Sequence, residues 1–298
     1  MNAPAQENFS FDRRAVMRAF DRAAPDYDAG ALLQQQVRAE LLERLGYFSL
    51  LPQTVLDLGA GTCRGAIALR RRYPRARVIA IDIAPGMLRA APRALWPWRG
   101  FDRLCADAHT LPLADGSVEL IFSNLMLQWC AQPEPVFREL ARVLKPGGVL
   151  LFSSFGPETL HELRAAWSSV DDGMHVTPFA DLPQLGDALM HAGLREPVLD
   201  LEQHRLRYPD VYALMRALKH IGAGNAASGR ARGLTGRARM QRMVDAYRPG
   251  RSATGVPATF EVIFGAAFGN AQRADAFEPS APPGEFSVPV SDIRRTPR

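Results

Sequence analysis

The sequence contains a short glycine-rich turn of the kind that binds a nucleotide-like ligand. The apolar run 55–58 leads into Gly59, Ala60 and Gly61, and a helical pattern follows. Because glycine has no Cβ, the backbone there can turn tightly and a ligand can approach it closely. Asp82 ends the next apolar run, about 20 residues after the glycines, the distance at which a βαβ unit brings a carboxylate to a ribose diol. The spacing predicts a pocket for a ribose-containing ligand; the alternatives are a turn without a ligand and a helix-capping role for Asp82.

The charge of this turn favours a cationic ligand over a dinucleotide. Asp57 lies two residues before Gly59, and its carboxylate would repel a pyrophosphate but tolerate a sulfonium or an amine. After Gly61 the next glycine is Gly65, one residue too far for the G-x-G-x-x-G spacing of dinucleotide-binding turns. The turn therefore predicts S-adenosylmethionine as the cosubstrate.

Two further strand ends carry polar residues that this ligand needs. Asp107, followed by Ala108, ends the third run and is predicted to accept a hydrogen bond from the adenine amino group. Asn124 ends the fourth run, beside the expected methionine portion, and Ile83 directly follows Asp82. Each polar residue taken alone is also typical of a plain cap at a strand end.

These residues belong to a chain in which strand and helix patterns alternate, as in parallel βαβ units. Strand-like runs occupy 54–59, 77–83, 103–107, 118–124, 148–155, 201–208 and 258–268. Helical patterns occupy 64–72, 86–95, 134–144, 158–168 and 181–192. The order predicts an α/β fold: a doubly wound, mostly parallel seven-stranded sheet with an inserted helical lid.

The same pattern predicts how the chain is divided. Residues 1–45 are expected to form an N-terminal tail and helices that cover the cofactor. Residues 46–269 are expected to form the catalytic domain, with lid insertions at about 156–180 and 209–256. Residues 270–298 are rich in Pro, Ala and charge without apolar periodicity, so we expect a disordered tail.

The composition is that of an ordinary globular protein with a net charge of +5. No run approaches the roughly 18 apolar residues of a membrane span, and no secretory signal begins the chain, so we expect a soluble cytoplasmic protein. Cys63, Cys105 and Cys130 have neither disulfide nor metal spacing and are predicted to be reduced, buried thiols. We predict no metal site, because the histidines also lack metal spacing and are expected to pack or to lie at the surface: His109, His161, His175, His191, His204 and His220.

Basic residues are concentrated near the C-terminal end of the predicted catalytic domain. Between Arg205 and Arg251 there are eleven Lys or Arg residues, with only Asp210 and Asp245 as acids. This charge predicts either a surface for an acidic partner or a solvated helical face. No nucleic-acid motif accompanies it, and neither a nucleophile elbow nor a P-loop is present.

The motifs resemble those of class I methyltransferases, which share the hydrophobic-Asp-hydrophobic-Gly-x-Gly turn, the ribose acid and the Asp-Ala strand end. Segments 19–28 (AFDRAAPDYD), 123–130 (SNLMLQWC) and 218–223 (LKHIGA) more narrowly resemble the malonyl-[acyl-carrier protein] O-methyltransferase family of biotin synthesis. The resemblance covers about residues 16–269. It implies methyl transfer from S-adenosylmethionine to the free carboxylate of a malonyl thioester, giving the methyl ester that primes pimeloyl synthesis.

The resemblance also implies roles for individual residues. Tyr27 is expected to close the cofactor pocket from the N-terminal helices. Arg216 or Lys219 is expected to steer the substrate carboxylate, and Trp129 to form an apolar wall or to pack in the core. No catalytic base is expected, because the carboxylate is already ionised at pH 7 and the leaving group is a neutral thioether. An acidic acyl-carrier protein would suit the arginines Arg230, Arg232, Arg237, Arg239 and Arg242.

Other functions remain open on the sequence. A mitochondrial assembly-factor branch that acts on a protein arginine shares an Asn-Leu-x-Leu-x-Trp run and a start of a strand like 257–260. Another small-molecule substrate, or a non-catalytic module that binds S-adenosylmethionine, is also compatible with the motifs. The thioester carrier, acyl-carrier protein or coenzyme A, and the oligomeric state are not indicated. No interaction with nucleic acid or membrane is expected.

Overall fold

The structure is a computed structural model that describes residues 10–92, 100–228, 233, 235–247 and 255–270. Its centre is a seven-stranded sheet in the order β3-β2-β1-β4-β5-β7-β6. The pairs from β3 through to β5 are parallel, and β7 runs antiparallel to both of its neighbours. The strands are β1 (Thr54–Leu58), β2 (Arg77–Asp82), β3 (Asp102–Cys105), β4 (Val118–Asn124), β5 (Leu144–Phe155), β6 (Arg195–Tyr208) and β7 (Val256–Phe268). The predicted mostly parallel seven-stranded α/β fold is confirmed.

Helices cover both faces of the sheet, and each face has its own apolar core. Along β1, Val55 packs into one core and Leu56 into the other, because successive side chains of a strand point to opposite faces. The helices are α1 (Arg13–Ala23), α2 (Tyr27–Gly30), α3 (Leu32–Arg44), α4 (Arg64–Arg72), α5 (Pro85–Ala90), α6 (Pro133–Val143), α7 (His161–Ser168), α8 (Leu182–His191), α9 (Val211–His220) and α10 (Arg237–Ala246). None of the described helices is both long and apolar enough to cross a membrane.

Some predicted element ends were wrong. Strand β6 begins at Arg195 rather than at 201, because its polar first half pairs with β7 at the sheet edge, where one face is exposed and apolar alternation is weak. Strand β5 begins at Leu144, so the predicted Lys-Pro-Gly-Gly break lies inside the strand, beside an irregular register with β4. Helix α7 begins three residues later than predicted, after Leu160 in a left-handed conformation.

The helical additions lie where the lid and cover were predicted. Helices α1 to α3 precede the sheet, α7 lies in the first predicted insertion, and α9 and α10 lie in the second. The division into catalytic domain, lid and cover remains a prediction. The predicted disordered tail at 270–298 lies, except for residue 270, outside the described residues.

Candidate active site

One cavity lies at the carboxyl ends of β1, β2 and β4, the edge at which parallel α/β sheets bind ligands. We call the part formed by the strand ends the cofactor half, and the part formed by the segments 159–179 and 218–225 the lid half. The lining includes most of the predicted site residues: Tyr27, Gly59, Gly61, Asp82, Ile83, Asp107, Ala108, Asn124 and Trp129. The strand order thus brings together residues spread over a hundred positions.

All three amide N–H groups of the glycine turn donate hydrogen bonds to other groups of the protein. Gly59 and Ala60 both donate to the carbonyl of Ile81, at 2.8 and 3.0 Å, and Gly61 donates to Asp82 Oδ2 at 2.8 Å. No donor in the described part of the chain reaches the Gly59 carbonyl. An anion needs free N–H groups, whereas a cation needs a free carbonyl. The turn therefore suits an ammonium or a sulfonium, not a phosphate.

The two glycines are needed for different reasons. Both have left-handed backbone angles, with φ of 69° at Gly59 and 53° at Gly61. A Cβ on Gly59 would lie 2.3 Å from Met126 Cγ, whereas a Cβ on Gly61 would meet nothing within 4 Å. Gly59 thus makes room for a side chain of the protein, and Gly61 keeps space open for a ligand. Both glycines line the cavity, so the expectation that a ligand approaches the turn closely stays a prediction.

Asp82 is a half-buried carboxylate that accepts hydrogen bonds from two backbone donors. Oδ2 accepts from Gly61 and Oδ1 from Ala84, each at 2.8 Å. Burial raises its pKa, while these hydrogen bonds act in the opposite direction. Each oxygen still has a lone pair, so the carboxylate can accept two more donors, which is what a ribose diol presents.

The carboxylate of Asp57 lies beneath the turn and does not line the cavity. It is only 2% exposed, its Oδ2 has no partner among the described residues, and it packs against Gly65 at the start of α4. Burial raises the pKa of Asp57 to about 7, opposed by a hydrogen bond from the Ala66 backbone and by the charge of Arg38. Direct contact with a cationic ligand, as the sequence predicted, is therefore not seen. Ala60, which was also predicted to bind the cosubstrate, is not among the residues that line the cavity.

Asp107 already has partners in the cavity. Its Oδ1 accepts from the His109 backbone N–H at 2.9 Å and lies 2.7 Å from His109 Nδ1, and its Oδ2 pairs with Arg13 at 2.9 Å. Burial tends to raise the pKa of Asp107, but the contacts with His109 and Arg13 outweigh it and lower the pKa. An adenine amino group would add one more donor to this carboxylate.

Asn124 joins three elements at the methionine end. Its Nδ2 donates to the Gln34 carbonyl in α3 at 3.1 Å, and its Oδ1 accepts from Ser153 in β5 at 3.1 Å. Because both ends of the amide are held, the side chain fixes the distance between α3 and the sheet. Its predicted contact with the cosubstrate stays a prediction.

Residues 10–30, which we call the N-terminal strap, line one side of the cavity and are anchored on α5, on α4 and on the loop between β1 and α4. Asp21 accepts from the Gly86 backbone at 2.6 Å, and Asp28 binds Thr62 at 2.6 Å and Arg64 at 2.7 Å. These contacts explain two acids of the 19–28 motif, because each holds the strap to an element beside the glycine turn.

Tyr27 and Trp129 belong to an aromatic wall in which rings of the strap pack against Trp129, in the segment after β4. The Phe20 ring lies 6.4 Å from Tyr27 and 5.2 Å from Trp129, edge to face, and Phe11 lies 5.8 Å from Trp129. Tyr27 is half-buried, and this burial raises its pKa, with the charges of Asp82 and Asp28 adding to the rise. The hydroxyl is therefore neutral at pH 7. The ring lines the cavity, and its predicted role in closing the cofactor pocket stays a prediction.

Neither Arg216 nor Lys219 reaches the cavity. Both are exposed on α9, whereas Leu218 and Ile221 of the same segment line the cavity. Residues three apart share one face of a helix, so the two pairs occupy different faces. The predicted steering of a bound carboxylate by direct contact with Arg216 or Lys219 is not supported by this geometry.

Two histidines that were expected only to pack or to lie at the surface line the cavity, His109 in the cofactor half and His175 in the lid half. His175 Nε2 lies 2.8 Å from Asp171 Oδ1. The Asp-x-x-x-His spacing was visible in the sequence, but a four-residue spacing in a loop does not predict a contact. Arg13 is a further lining residue that sequence reasoning missed.

The structure brings Glu40, Glu202 and His204 close together on the far side of α3, which the sequence did not predict. Arg44 already pairs with Glu40 at 3.0 Å and with Glu202 at 2.6 Å. We interpret the group as an ion-pair cluster between helix and edge strand.

The three cysteines are free, as expected, but not all are buried. Cys63 is buried, Cys130 lines the cavity, and Cys105 is exposed. Cys105 ends β3 at the edge of the sheet, where none of the described strands covers it. The predicted burial of Cys105 was wrong for that reason.

Comparisons with known proteins agree with this geometry. Residues 56–152 match the family model described as a methyltransferase domain. Solved structures with the same fold include the YcgJ protein from Bacillus subtilis (TM-score 0.54, 18% identity, 78% of this chain and 98% of that chain). A putative methyltransferase from Bacillus halodurans gives a TM-score of 0.56 at 16% identity, over 78% of this chain and 99% of that chain.

Curated relatives are much more similar in sequence. The malonyl-[acyl-carrier protein] O-methyltransferase of Methylovorus sp. (strain MP688) is 48% identical over 87% of this chain and 90% of its own length. The protein of the same name from Halorhodospira halophila is 47% identical over 97% of this chain and 98% of its own length. The chain therefore belongs to the malonyl-[acyl-carrier protein] O-methyltransferase family.

Proposed function

We propose that the protein transfers the methyl group of S-adenosylmethionine to the free carboxylate of malonyl-acyl-carrier protein, as a step of biotin synthesis. The observation that carries the proposal is the near full-length similarity to relatives named for this reaction. The cavity supports it, because its cofactor half suits a cationic ribose-containing ligand and its lid half leaves space for an acyl chain.

The residues present fit S-adenosylmethionine. The open space over Gly61, the free Gly59 carbonyl and the two spare lone pairs of Asp82 match its amino acid and ribose portions. Ile83 and Ala108 would offer apolar contact to the adenine, and Asp107 would offer its amino group an acceptor. When bound, the cosubstrate supplies an electrophilic methyl carbon on a sulfonium.

The chain's own residues act by orientation and by excluding water. The substrate carboxylate is already ionised, so no residue has to remove a proton. Tyr27, Phe20 and Trp129 cover the cavity with apolar surface, which strips water from the carboxylate and strengthens electrostatic contacts inside. Alignment of oxygen, methyl carbon and sulfur then supplies the rate gain.

We infer that the carrier protein docks near α10. Arg237 and Arg242 are exposed on this helix, whereas Arg239 is partly shielded by its pairing with Asp171. Arg230 and Arg232 lie outside the described residues. Charge reversal of Arg237 and Arg242 is expected to raise the KM for malonyl-acyl-carrier protein but not for malonyl-coenzyme A, with reversal of the exposed Arg71 on α4 as the control. Equal KM values for malonyl-acyl-carrier protein in the wild type, the α10 variant and the Arg71 control would contradict docking at α10.

The test of the proposed function is the mass of the product. Purified protein is incubated with S-adenosylmethionine and malonyl-acyl-carrier protein, and the acyl group is weighed before and after. A gain of one methyl group that base hydrolysis removes supports the proposal. Binding of S-adenosylmethionine without this product, or methylation of a protein arginine instead, would overturn it.

A further inference from the structure

A malonyl group brings a negative charge into a largely apolar cavity, so a positive group must meet it. If the proposed function holds, one residue of the cavity has to carry this positive charge. Within the described lining, the side chains able to carry positive charge are Arg13, His109 and His175. Arg13 and His109 are both bound to Asp107 in the cofactor half. His175 is therefore the cationic candidate in the lid half.

His175 is held by a group of residues that we call the lid cluster: Trp167, Asp171, His175 and Arg239. Asp171 Oδ1 lies 2.8 Å from His175 Nε2 and accepts from the Gly173 backbone at 2.7 Å. Asp171 Oδ2 accepts from Arg239 Nε at 2.7 Å and lies 2.6 Å from its Nη2. Nε2 of the ring is therefore occupied by Asp171.

The plane of the imidazole is fixed by Trp167. The two rings are stacked, with centroids 3.7 Å apart and planes 7° from parallel. Trp167 is itself buried in the core beneath the lid. A ring held on one face and at Nε2 has one polar atom left, Nδ1, and none of the described residues is bonded to it. His175 lines the cavity together with Thr177 and Asn225.

The charges of the lid cluster suit an anion. Hydrogen bonds from His175, Gly173 and Arg239 lower the pKa of Asp171 to about 2, so its carboxylate is ionised. An imidazole that donates from Nε2 to a carboxylate also donates from Nδ1 when both of its nitrogens carry a proton. In that state the ring and Arg239 carry two positive charges against the single charge of Asp171. The cluster then has a net charge of +1, with Nδ1–H as its free donor.

We infer that His175 is the binding residue for the free carboxylate of the acyl substrate, which accepts from Nδ1–H. One carboxylate oxygen accepts this hydrogen bond, and the other attacks the methyl carbon as the carbon–sulfur bond breaks. The products are a neutral ester and a neutral thioether, and no proton is transferred. His175 acts by holding the anion, and Asp171 and Arg239 act as positioning residues.

A variant that keeps the ring stack tests this inference. His175→Phe retains an aromatic ring on Trp167 but removes both nitrogens. We expect the KM for malonyl-acyl-carrier protein to rise about 10- to 100-fold, as for the loss of one charge-assisted hydrogen bond. The dissociation constant for S-adenosylhomocysteine is expected to stay within about twofold, since the cofactor half is separate. His161→Phe, on the exposed side of α7, is the matched control.

A second readout separates carboxylate binding from a structural role. Acetyl-acyl-carrier protein lacks the carboxylate and acts as an unreactive competitor. The wild type is expected to bind the malonyl form more tightly, and His175→Phe to lose most of this preference. A merely structural ring would weaken both forms equally, and that result would overturn the inference.

Asp171→Asn provides a variant in case His175→Phe is poorly folded. It leaves the imidazole in place but removes the charge that holds it, so the same malonyl preference is expected to fall by a smaller factor. An unchanged preference in both variants would overturn the inference. A wild type that binds S-adenosylhomocysteine but does not methylate malonyl-acyl-carrier protein would instead overturn the proposed function.

Discussion

The two halves of the cavity are built in different ways. The cofactor half consists of the ends of neighbouring strands, and its key contacts join β1 to β2 within about twenty residues of chain, as in Gly61 to Asp82. The lid half joins a loop after α7 to a helix 68 residues later, as in Asp171 to Arg239. The positions of the residues in the cofactor half therefore follow from sheet topology. The lid half depends on side chains from distant segments that come into contact only in the folded chain.

Asp57→Asn tests the buried charge beneath the cofactor half and has the largest expected effect. Burial raises the pKa of Asp57 from 3.8 to about 7. Between these pH values the unfolded chain has released the proton and the folded chain has not, so stability falls as pH rises and levels off above about pH 7. The full change is on the order of 4 kcal/mol. Urea unfolding from about pH 4 to about pH 8 is expected to show this fall in the wild type relative to the variant.

Parallel stability curves for wild type and Asp57→Asn would contradict the burial argument. The comparison uses the difference between the two proteins, because other titrating groups contribute equally to both.

Gly59→Ala tests whether the cofactor half is packed so tightly that Met126 cannot move away from a Cβ at position 59. The left-handed backbone costs Ala about 1 kcal/mol, and the clash with Met126 adds about 2 kcal/mol. Gly116 has a similar φ of 55° but open space around it, so Gly116→Ala is expected to cost about 1 kcal/mol only. Denaturant unfolding measures both. Equal losses would show that Met126 moves aside freely.

Asp82→Asn tests, by ligand binding, whether the two halves of the cavity act independently. Asp82 accepts from Gly61 and is proposed to accept from the ribose, so the loss of its carboxylate is expected to weaken S-adenosylhomocysteine binding about 30-fold, or about 2 kcal/mol. Titration calorimetry measures this, with Asp102→Asn on the exposed end of β3 as the control. A comparable rise in the KM for the acyl substrate would break the proposed independence of the two halves.

Arg13→Ala has the smallest expected effect. Its pair with Asp107 is largely exposed, with 58% of the Arg13 side chain accessible, and such pairs contribute less than about 1 kcal/mol. We expect a loss of cosubstrate affinity of less than about fivefold that disappears at high salt. Arg14→Ala, on the same turn, is the control. A larger loss would mean that the strap is held mainly by this ion pair.

Much of the cofactor half was predictable from sequence. The pattern of apolar runs predicted α4 with its observed ends and the carboxyl-terminal ends of β2 and β4 to within a residue, because apolar periodicity and turn residues act locally. Asp82 follows from the same reasoning. What the sequence did not reveal is the partner of each atom, such as Met126 over Gly59, because that contact depends on the packing of distant segments.

The lid half was predictable only as helices at the right places. Arg216 and Lys219 were selected for their charge, but the rotation of α9 that exposes them is set by apolar contacts of Leu214 and Leu218. His175 was passed over because the residues that hold it lie on separate segments: Trp167 on α7 stacks on its ring, and Asp171, which contacts its Nε2, is itself held by Arg239 on α10. Chemistry that is assembled from several lid segments leaves no local motif.

The N-terminal strap couples the lifetime of a bound ligand to the local stability of the chain. We expect its anchors at Asp21 and Asp28 to open before a ligand beneath Tyr27 can leave, and its first residues pair with Ala226 beyond α9. The free energy of detaching one short segment therefore adds to the barrier for ligand exit. Residence time in this cavity becomes a property of residues 10–30, and the protein can tune turnover by changing how firmly they dock, without altering the surface that touches the ligand.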